Sequence, residues 1–200
     1  MKIILIGATG TIGNSIAQAL ADHHELIRVS RSKAEHRVDL ASKDSIQRLM
    51  EEVQPFDAVI RAADQAAFRP LPELSDDDFQ LSLSNKLMGQ VNLLRIGLRY
   101  IKDGGSFTLT SGVLARQPMP GSAAISLVNS GLEGFVLAAA LERPRGIRVN
   151  IVSPPWVKET LQALGMDPSG GMPAADVARA YVHSLEGQGN GEIIDARAFA

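Results

Sequence analysis

The chain has 200 residues, of which 45% are hydrophobic and 21% are charged, which suits one domain with a full hydrophobic core. Its net charge of -2 gives no support for binding to nucleic acid or to an anionic membrane. The absence of cysteine excludes disulfides, zinc sites built from thiolates and thiol catalysis.

Two features of the sequence bear on location. The apolar run at residues 3–6 is too short for the hydrophobic region of a signal peptide and is typical of a buried strand. We expect no apolar stretch of the chain to be long enough to cross a bilayer. These observations predict a cytoplasmic protein that binds neither membranes nor nucleic acid.

Strand and helix patterns alternate along the whole chain. Strands are predicted over residues 2–6, 25–30, 36–40, 57–63, 104–111, 146–154 and 191–196. Helices are predicted over residues 11–23, 42–53, 75–101, 122–142 and 172–185. Strands separated by helices require crossover connections, which give a mostly parallel sheet covered on both faces. The sequence therefore predicts an α/β fold with a single doubly wound domain over residues 1–200.

Two longer stretches lack a regular pattern, at residues 64–73 and 154–172. Both would leave the carboxyl ends of strands, where sheets of this type bind ligands. Long loops in compact domains are often functional. We therefore predict that residues 154–172 form a lid loop over a substrate or cofactor.

Glycines punctuate the junction between the first strand and the first helix, in the run GATGTIG at residues 7–13. Gly7 permits a tight turn, Gly10 lets the backbone approach a pyrophosphate, and Gly13 lets the helix and strand pack closely. Amide groups at the start of the helix would then face the anion. A purely structural turn is the alternative. The residues predicted to bind a dinucleotide are Gly7, Thr9, Gly10, Thr11, Ile12 and Gly13.

The end of the second strand decides between the two nicotinamide dinucleotides. NAD-binding sheets usually have an acidic residue there, about twenty residues beyond the glycines. This chain instead has Ser30, Arg31 and Ser32, which offer hydrogen-bond donors and a positive charge. A guanidinium can bind a 2′-phosphate with two hydrogen bonds. We therefore predict NADP(H) in preference to NAD(H), with a solvated basic turn as the alternative.

Several further motifs follow in order along the chain. They are Asp39-Leu40 after the third strand, RAAD after the fourth, TLTSG after the fifth, SGLEGF in the helix 122–142, and GIRVNIVSPPWVKET from residue 146. Together with GATGTIG, this combination resembles the short-chain dehydrogenase/reductase family along nearly the whole chain. The resemblance implies a Rossmann-type fold with strand order 3-2-1-4-5-6-7 and a dinucleotide across the strand ends.

The resemblance also implies cofactor contacts away from the glycines. Those near the adenosine are Asp39, Leu40, Ala62 and Ala63, and those near the nicotinamide are Pro154, Val157 and Thr160. Pro155 stands where the family usually has glycine, and proline stiffens that loop.

The catalytic set is where the sequence departs from the family. The family usually has a serine after the fifth strand, a tyrosine and a lysine four residues apart on the next helix, and an asparagine in the preceding long helix. Ser111 matches the serine, whereas Ile125 and Asn129 stand at the tyrosine and lysine positions. Lys86 stands at the asparagine position, and Asn85 is one residue away.

We predict that Ser111, Lys86 and Asn129 are the catalytic residues. Isoleucine cannot transfer a proton, whereas a buried lysine beside a cationic nicotinamide gives up its proton more readily than an exposed lysine. Lys86 is therefore the predicted proton donor, Ser111 positions the carbonyl, and Asn129 holds the ribose or a water. Purely structural roles for Lys86 and Ser111 are the alternatives.

Two functions remain open from the sequence. The first is an NADP(H)-dependent oxidoreductase that transfers a hydride between the nicotinamide and a small carbonyl or alcohol substrate. The second is a catalytically inactive NADP(H)-binding sensor or interaction protein of the same fold, because the catalytic tyrosine is absent. A structural subunit that binds no nucleotide is a weaker third reading, against which the intact glycine turn argues.

Self-association is also predicted. The helix 122–142 is apolar around most of its circumference, so it must be covered on more than one side. In the family that the chain resembles, this helix and the preceding one pair across a two-fold axis. We therefore expect a homodimer or homotetramer formed through the segments 75–102 and 122–142.

Overall fold

The computed structural model describes residues 1–62 and 66–200. Seven strands form one sheet in the order β3-β2-β1-β4-β5-β6-β7, and neighbouring strands are parallel. The strands are β1 Lys2–Ile6, β2 Glu25–Ser30, β3 His36–Arg37, β4 Phe56–Arg61, β5 Ile101–Thr110, β6 Arg148–Ser153 and β7 Ile193–Asp195. The helices are α1 Thr11–Leu20, α2 Lys43–Val53, α3 Asp76–Leu81, α4 Gly89–Gly97, α5 Ala123–Glu142, α6 Lys158–Ala163 and α7 Ala174–Glu186. The predicted fold class and strand order are confirmed.

The central strand β1 shows why both faces of the sheet are covered. Successive side chains of a strand point to opposite faces, and the side chains of β1 are apolar from Ile3 onward. Ile4 packs in one buried cluster with residues of α2, α4 and α5. Ile3 and Leu5 pack in a second cluster with residues of α1 and α7. The carboxyl ends of β1, β4 and β5 therefore open onto a common edge between these helix layers.

Buried polar contacts fix the end of β5. The side-chain amide of Gln90 donates to the Thr110 carbonyl at 2.9 Å, and its oxygen accepts from the Thr110 amide at 2.8 Å. The Thr110 hydroxyl donates to the Arg61 carbonyl and lies 2.7 Å from the Tyr181 hydroxyl. Because Gln90 is on α4 and Tyr181 on α7, both helix layers hold the strand directly before Ser111.

The predicted single helix over residues 75–101 is wrong in detail. The α-helical hydrogen-bond pattern is interrupted between α3 and α4 by a π-helical segment, Ser82–Met88, which contains Lys86. The Ser82 and Ser84 hydroxyls donate to carbonyls four residues earlier, at 2.8 and 2.6 Å, and such contacts bend helices. The predicted end at residue 101 is also wrong. The helix ends at Gly97, and residue 101 already belongs to β5.

Two other expectations need correction. Residues 154–172 are not all irregular, since α6 lies within them and Val157 pairs with Met172 in an isolated parallel bridge. By length and composition alone, α5 is apolar enough to cross a membrane, contrary to the sequence-based expectation. In the fold one face of α5 packs in the core, with Val128, Leu132 and Val136 fully buried, and the opposite face is exposed at Leu127, Leu137 and Leu141.

Candidate functional site

The glycine turn between β1 and α1 forms one wall of a cleft of about 410 Å³. Gly7 has a φ of +86°, a conformation that favours glycine. A Cβ atom on Gly13 would lie 2.0 Å from the Gly7 carbonyl oxygen, so only glycine allows this contact. The cleft is lined by Ile6, Gly7, Thr9, Gly10, Ser30, Arg31, Ser32, Lys33, Val38, Asp39, Leu40, Arg61 and Asn85.

The first turn of α1 can receive an anion at this cleft. Gly10 precedes the helix and contributes no side-chain cap, and its carbonyl accepts the Asn14 amide at 2.9 Å. The amides of the first helical turn have no carbonyl four residues earlier within the helix. Thr11 and Gly13 carry two of these amides, although neither residue is part of the cleft lining.

The far end of the cleft contains the predicted 2′-phosphate residues. Ser30 is buried, and its hydroxyl oxygen accepts the amides of Lys33 and Ala34, each at 2.8 Å. Arg31 and Ser32 are exposed. The Ser30 bonds tighten the turn that carries the Arg31 guanidinium beside the cleft. The hydroxyl proton of Ser30 is not used in either bond.

Of the other residues predicted near the adenosine, some line the cleft and one lies behind its wall. Asp39 lines the cleft and accepts the Ala41 amide at 3.1 Å, and Leu40 forms part of the cleft wall. Ala62 is buried, and its amide donates to the Ile6 carbonyl at 2.9 Å, so it supports the wall from behind. Ala63 lies outside the described residues. Arg61 is a cleft residue that the sequence analysis missed; it is only 4% exposed.

A second pocket of about 230 Å³ lies next to this cleft. Two consecutive residues of the π-helical segment connect them, since Asn85 lines the cleft and Lys86 lines the second pocket. Its walls are mostly apolar and include Ile12, Ile125 and Trp156. The ring of Phe68 meets Trp156 edge to face, with 5.8 Å between centroids. The full lining is Ile12, Lys86, Ser111, Gly112, Val113, Leu114, Ile125, Asn129, Pro154, Pro155, Trp156, Val157 and Thr160.

All three predicted catalytic residues meet in this second pocket. Lys86 is 2% exposed, and its amino group donates to the Ser111 carbonyl at 3.1 Å. The side-chain amide of Asn129 donates to the Gly112 carbonyl at 3.4 Å. Asn129 Oδ1 is buried and has no hydrogen-bond partner within residues 1–62 and 66–200. The pocket therefore combines one cationic side chain, the hydroxyl groups of Ser111 and Thr160, and one unsatisfied acceptor.

A buried acid beside the pocket was missed by the sequence analysis. The Ser111 hydroxyl donates to Glu133 Oε1 at 3.0 Å. Glu133 Oε2 accepts Arg116 Nε, also at 3.0 Å, in an ion pair. The sequence did contain a signal, because Glu133 is the one charged residue of α5 before its terminal Glu142.

Metal chemistry has no recognisable site in the described part of the chain. No group of three or more histidine, cysteine or acidic side chains lies close enough together there to hold an ion. The first cleft offers glycine amides and charged side chains, among them Arg31 and Asp39, and the second pocket offers Lys86, Ser111 and Asn129 beside apolar walls.

Comparison of the sequence with known proteins gives a family and a curated relative. The family described as enoyl-(acyl carrier protein) reductase matches residues 7–187. Hydroxynaphthalene reductase arp2 of Aspergillus fumigatus is 26% identical over 154 residues, which are 74% of this chain and 56% of that protein. The chain therefore spans about half the length of this curated relative.

Solved structures also match nearly the whole chain, and two of them show the extent of the similarity. The protein lin1944 from Listeria innocua has a TM-score of 0.93 and 38% identity, covering 98% of each chain. A small-chain dehydrogenase in complex with NADPH has a TM-score of 0.85 and 26% identity, covering 98% of this chain and 95% of the other.

Proposed function

We propose that this chain, which belongs to the short-chain dehydrogenase/reductase family, is an NADP(H)-dependent oxidoreductase. It would transfer a hydride between the nicotinamide and a small carbonyl or alcohol substrate. Membership in the family gives the chain the Rossmann-type fold, and relatives in the family are named as reductases and dehydrogenases. The observation that carries the proposal is the adjacency of the glycine cleft and the apolar pocket that contains Lys86, Ser111 and Asn129. The cleft would bind the dinucleotide, and the apolar pocket would hold the reacting oxygen of the substrate.

The residues present fit a nicotinamide dinucleotide. The closest approach of the turn, between Gly7 and Gly13, leaves no room for a side chain, and the first-turn amides of α1 suit a pyrophosphate. Asn129 Oδ1 is buried without a partner among the described residues. A buried acceptor without a donor is costly, so a ribose hydroxyl or a water at this atom would stabilise the pocket.

The cofactor supplies the hydride chemistry when it is bound. In the proposal Lys86 donates a hydrogen bond, and in reduction a proton, to the substrate oxygen. Ser111 positions that oxygen, and the walls from Ile125 and Trp156 exclude water. Pro154 and Val157 belong to the same pocket lining, which supports their proposed contact with the nicotinamide end.

The preference for NADP(H) has separate support. Arg31 and Ser32 line the cleft at the end of β2, and no acidic side chain precedes them on the turn. A related structure contains NADPH. We extend this cofactor to the present chain as part of the proposal, together with a cytoplasmic location.

Replacing Lys86 with methionine tests the proposal directly. We expect kcat/KM for NADPH oxidation to fall by roughly 10²–10⁴-fold, because a positioned acid contributes about this much. NADPH affinity should change less, because the proposed pyrophosphate and 2′-phosphate contacts lie in the glycine cleft and Lys86 does not line it. The measurements are NADPH oxidation against a panel of aldehydes, ketones and quinones, and NADPH binding by calorimetry.

The matched control is Lys43→Met, which removes an exposed lysine at the start of α2. It should leave both the activity and the affinity unchanged. Full activity in a folded Lys86→Met variant would contradict the role of Lys86 as the acid.

One observation favours the second function, that of a sensor that binds NADP(H) without turnover. Ile125 occupies the pocket lining where the family usually has a proton-transferring tyrosine. Tight NADPH binding without turnover of any panel substrate would favour the sensor. Absence of NADPH binding would contradict both functions.

Self-association is part of the proposal. On the outer face of α5, Leu127, Leu137 and Leu141 are about half to nine-tenths exposed. No atom lies within 4 Å of a Cβ built on Gly134, so this face is open in the single chain. A second copy would cover these side chains and remove apolar surface from water.

The variant Gly134→Arg is therefore expected to convert a dimer or tetramer into a monomer without loss of the fold. Light scattering coupled to size exclusion measures the mass, and circular dichroism checks the fold. Gln47→Arg on the exposed face of α2 is the control and should keep the wild-type mass. A monomeric wild-type protein at micromolar concentration would overturn this part of the proposal.

A further inference from the structure

The Ser111 hydroxyl has one proton, and the structure directs it away from a ligand. The hydroxyl donates to Glu133 Oε1 at 3.0 Å, and the alternative acceptor, the Val152 carbonyl, is farther away at 3.5 Å. A serine hydroxyl that gives its proton to one acceptor offers only lone pairs elsewhere. Because Ser111 lines the second pocket, those lone pairs are what remains for a ligand.

Glu133 is held in place as the acceptor. Its side chain is 8% exposed, and Arg116 Nε donates to its other oxygen at 3.0 Å. An ionised carboxylate can only accept hydrogen bonds, and charge-assisted bonds are stronger than bonds between neutral groups. The carboxylate therefore competes better for the Ser111 proton than a neutral carbonyl on a ligand would.

We propose that Glu133 is a positioning residue that keeps Ser111 as a hydrogen-bond acceptor, so that the pocket selects a ligand with a hydroxyl group over its carbonyl counterpart. This inference rests on the proposed function, since it concerns the same pocket. It also revises the predicted role of Ser111, because a serine in this state accepts a hydrogen from an alcohol and does not donate one to a carbonyl.

Lys86 does not provide this selection. Its amino group has only donors, and an alcohol oxygen and a carbonyl oxygen can both accept from it. The apolar lining, which includes Leu114, Ile125 and Trp156, suits an uncharged ring or chain. The ligand class that matches the pocket is therefore an uncharged, largely apolar alcohol.

The variant Glu133→Gln is expected to change Ser111 from a hydrogen-bond acceptor to a donor toward the ligand. Glutamine has nearly the same shape as glutamate. Arg116 can only donate, so the amide oxygen of the new side chain should face Arg116 and its NH₂ group should face Ser111. Ser111 would then accept from the glutamine, and its own proton would turn toward the pocket. A general loosening of the structure would weaken both kinds of ligand and would not reverse their order.

The test uses cyclohexanol and cyclohexanone as matched probes, without dinucleotide so that neither is converted. Dissociation constants come from ligand-observed NMR titrations of the full chain. We expect wild type to bind the alcohol about fivefold more tightly, the typical value of one hydrogen bond. The ratio should fall to one or below in Glu133→Gln and should also fall in Ser111→Ala. The exposed Glu142→Gln variant on the same helix should keep the wild-type ratio.

Three results would overturn the inference. They are a wild-type ratio of one or less, an unchanged ratio in a folded Glu133→Gln variant, and no cyclohexanol binding up to its solubility limit. NADPH calorimetry on the same samples separates this inference from the proposed function. A wild type that selects the alcohol but binds no NADPH would retain the Glu133 inference and reject the proposed oxidoreductase.

Discussion

Replacing Gly13 with alanine is expected to lower the free energy of unfolding by about 3 kcal/mol, as forced overpacking does, and to abolish NADPH binding. The new Cβ atom would lie 2.0 Å from the Gly7 carbonyl oxygen and 2.7 Å from its carbon. Both are backbone atoms, so relief requires the turn and α1 to move apart. Urea denaturation measures the stability, and calorimetry measures the binding.

Gly10→Ala is the matched variant in the same turn. Its Cβ atom would lie 3.4 Å from the nearest atom, the Gly7 carbonyl oxygen, which is an ordinary contact. The fold should therefore keep its stability, while NADPH affinity falls roughly 10- to 100-fold because the methyl group intrudes on the pyrophosphate. Unchanged NADPH affinity in Gly10→Ala would show that the pyrophosphate does not lie on this turn.

The layout of the fold could be predicted from the sequence because it depends on short-range patterns. Apolar runs such as residues 2–6 indicate buried strands, and their alternation with helices restricts the sheet to a few topologies. The interrupted helix could not be predicted, because a sequence pattern does not distinguish a short π-helical segment from the α-helix around it. The change of pattern at Ser82–Met88 depends on bonds from serine hydroxyls to the backbone and on packing.

The candidate site was predictable to the extent that motifs anchor it. The GATGTIG run and TLTSG lie at strand ends, and the carboxyl ends of parallel strands share one edge. Ser111, Lys86 and Asn129 therefore come together although 43 positions separate the first and last in sequence. Glu133 lies within SGLEGF and is the one charged residue of α5 before Glu142, but neither fact predicts its partners. Its role follows from the packing of α5 against the end of β5, which no local pattern encodes.

Changing Arg31 to aspartate is expected to reverse the cofactor preference. NADPH affinity should fall by about 10- to 100-fold, because hydrogen bonds to charged groups contribute about 1.5–3 kcal/mol. NADH affinity should rise, since an acid about twenty residues beyond the glycines can hold the ribose 2′-hydroxyl. Calorimetric titrations with NADPH and NADH give both affinities.

The neighbouring side chains make Arg31 the deciding group. The Ser30 hydroxyl oxygen already accepts two amides of the turn, so it can give a phosphate only its single proton. Ser32 carries no charge. Arg31 is exposed and lines the cleft, so its guanidinium can reach a phosphate without disturbing the core. The substitution should therefore change the affinities without changing stability.

Arg28→Asp separates a local contact from a general effect of charge. Arg28 is an exposed arginine on β2, three residues before Arg31, and it lines a neighbouring cleft. The substitution Arg28→Asp makes the same change in net charge as Arg31→Asp, but Arg28 does not line the cleft of the glycine turn. Long-range attraction is screened by salt within about 10 Å, so this variant should lose little NADPH affinity at physiological ionic strength. Equal losses in the two variants would mean that the basic edge of the sheet attracts the cofactor without recognising its 2′-phosphate.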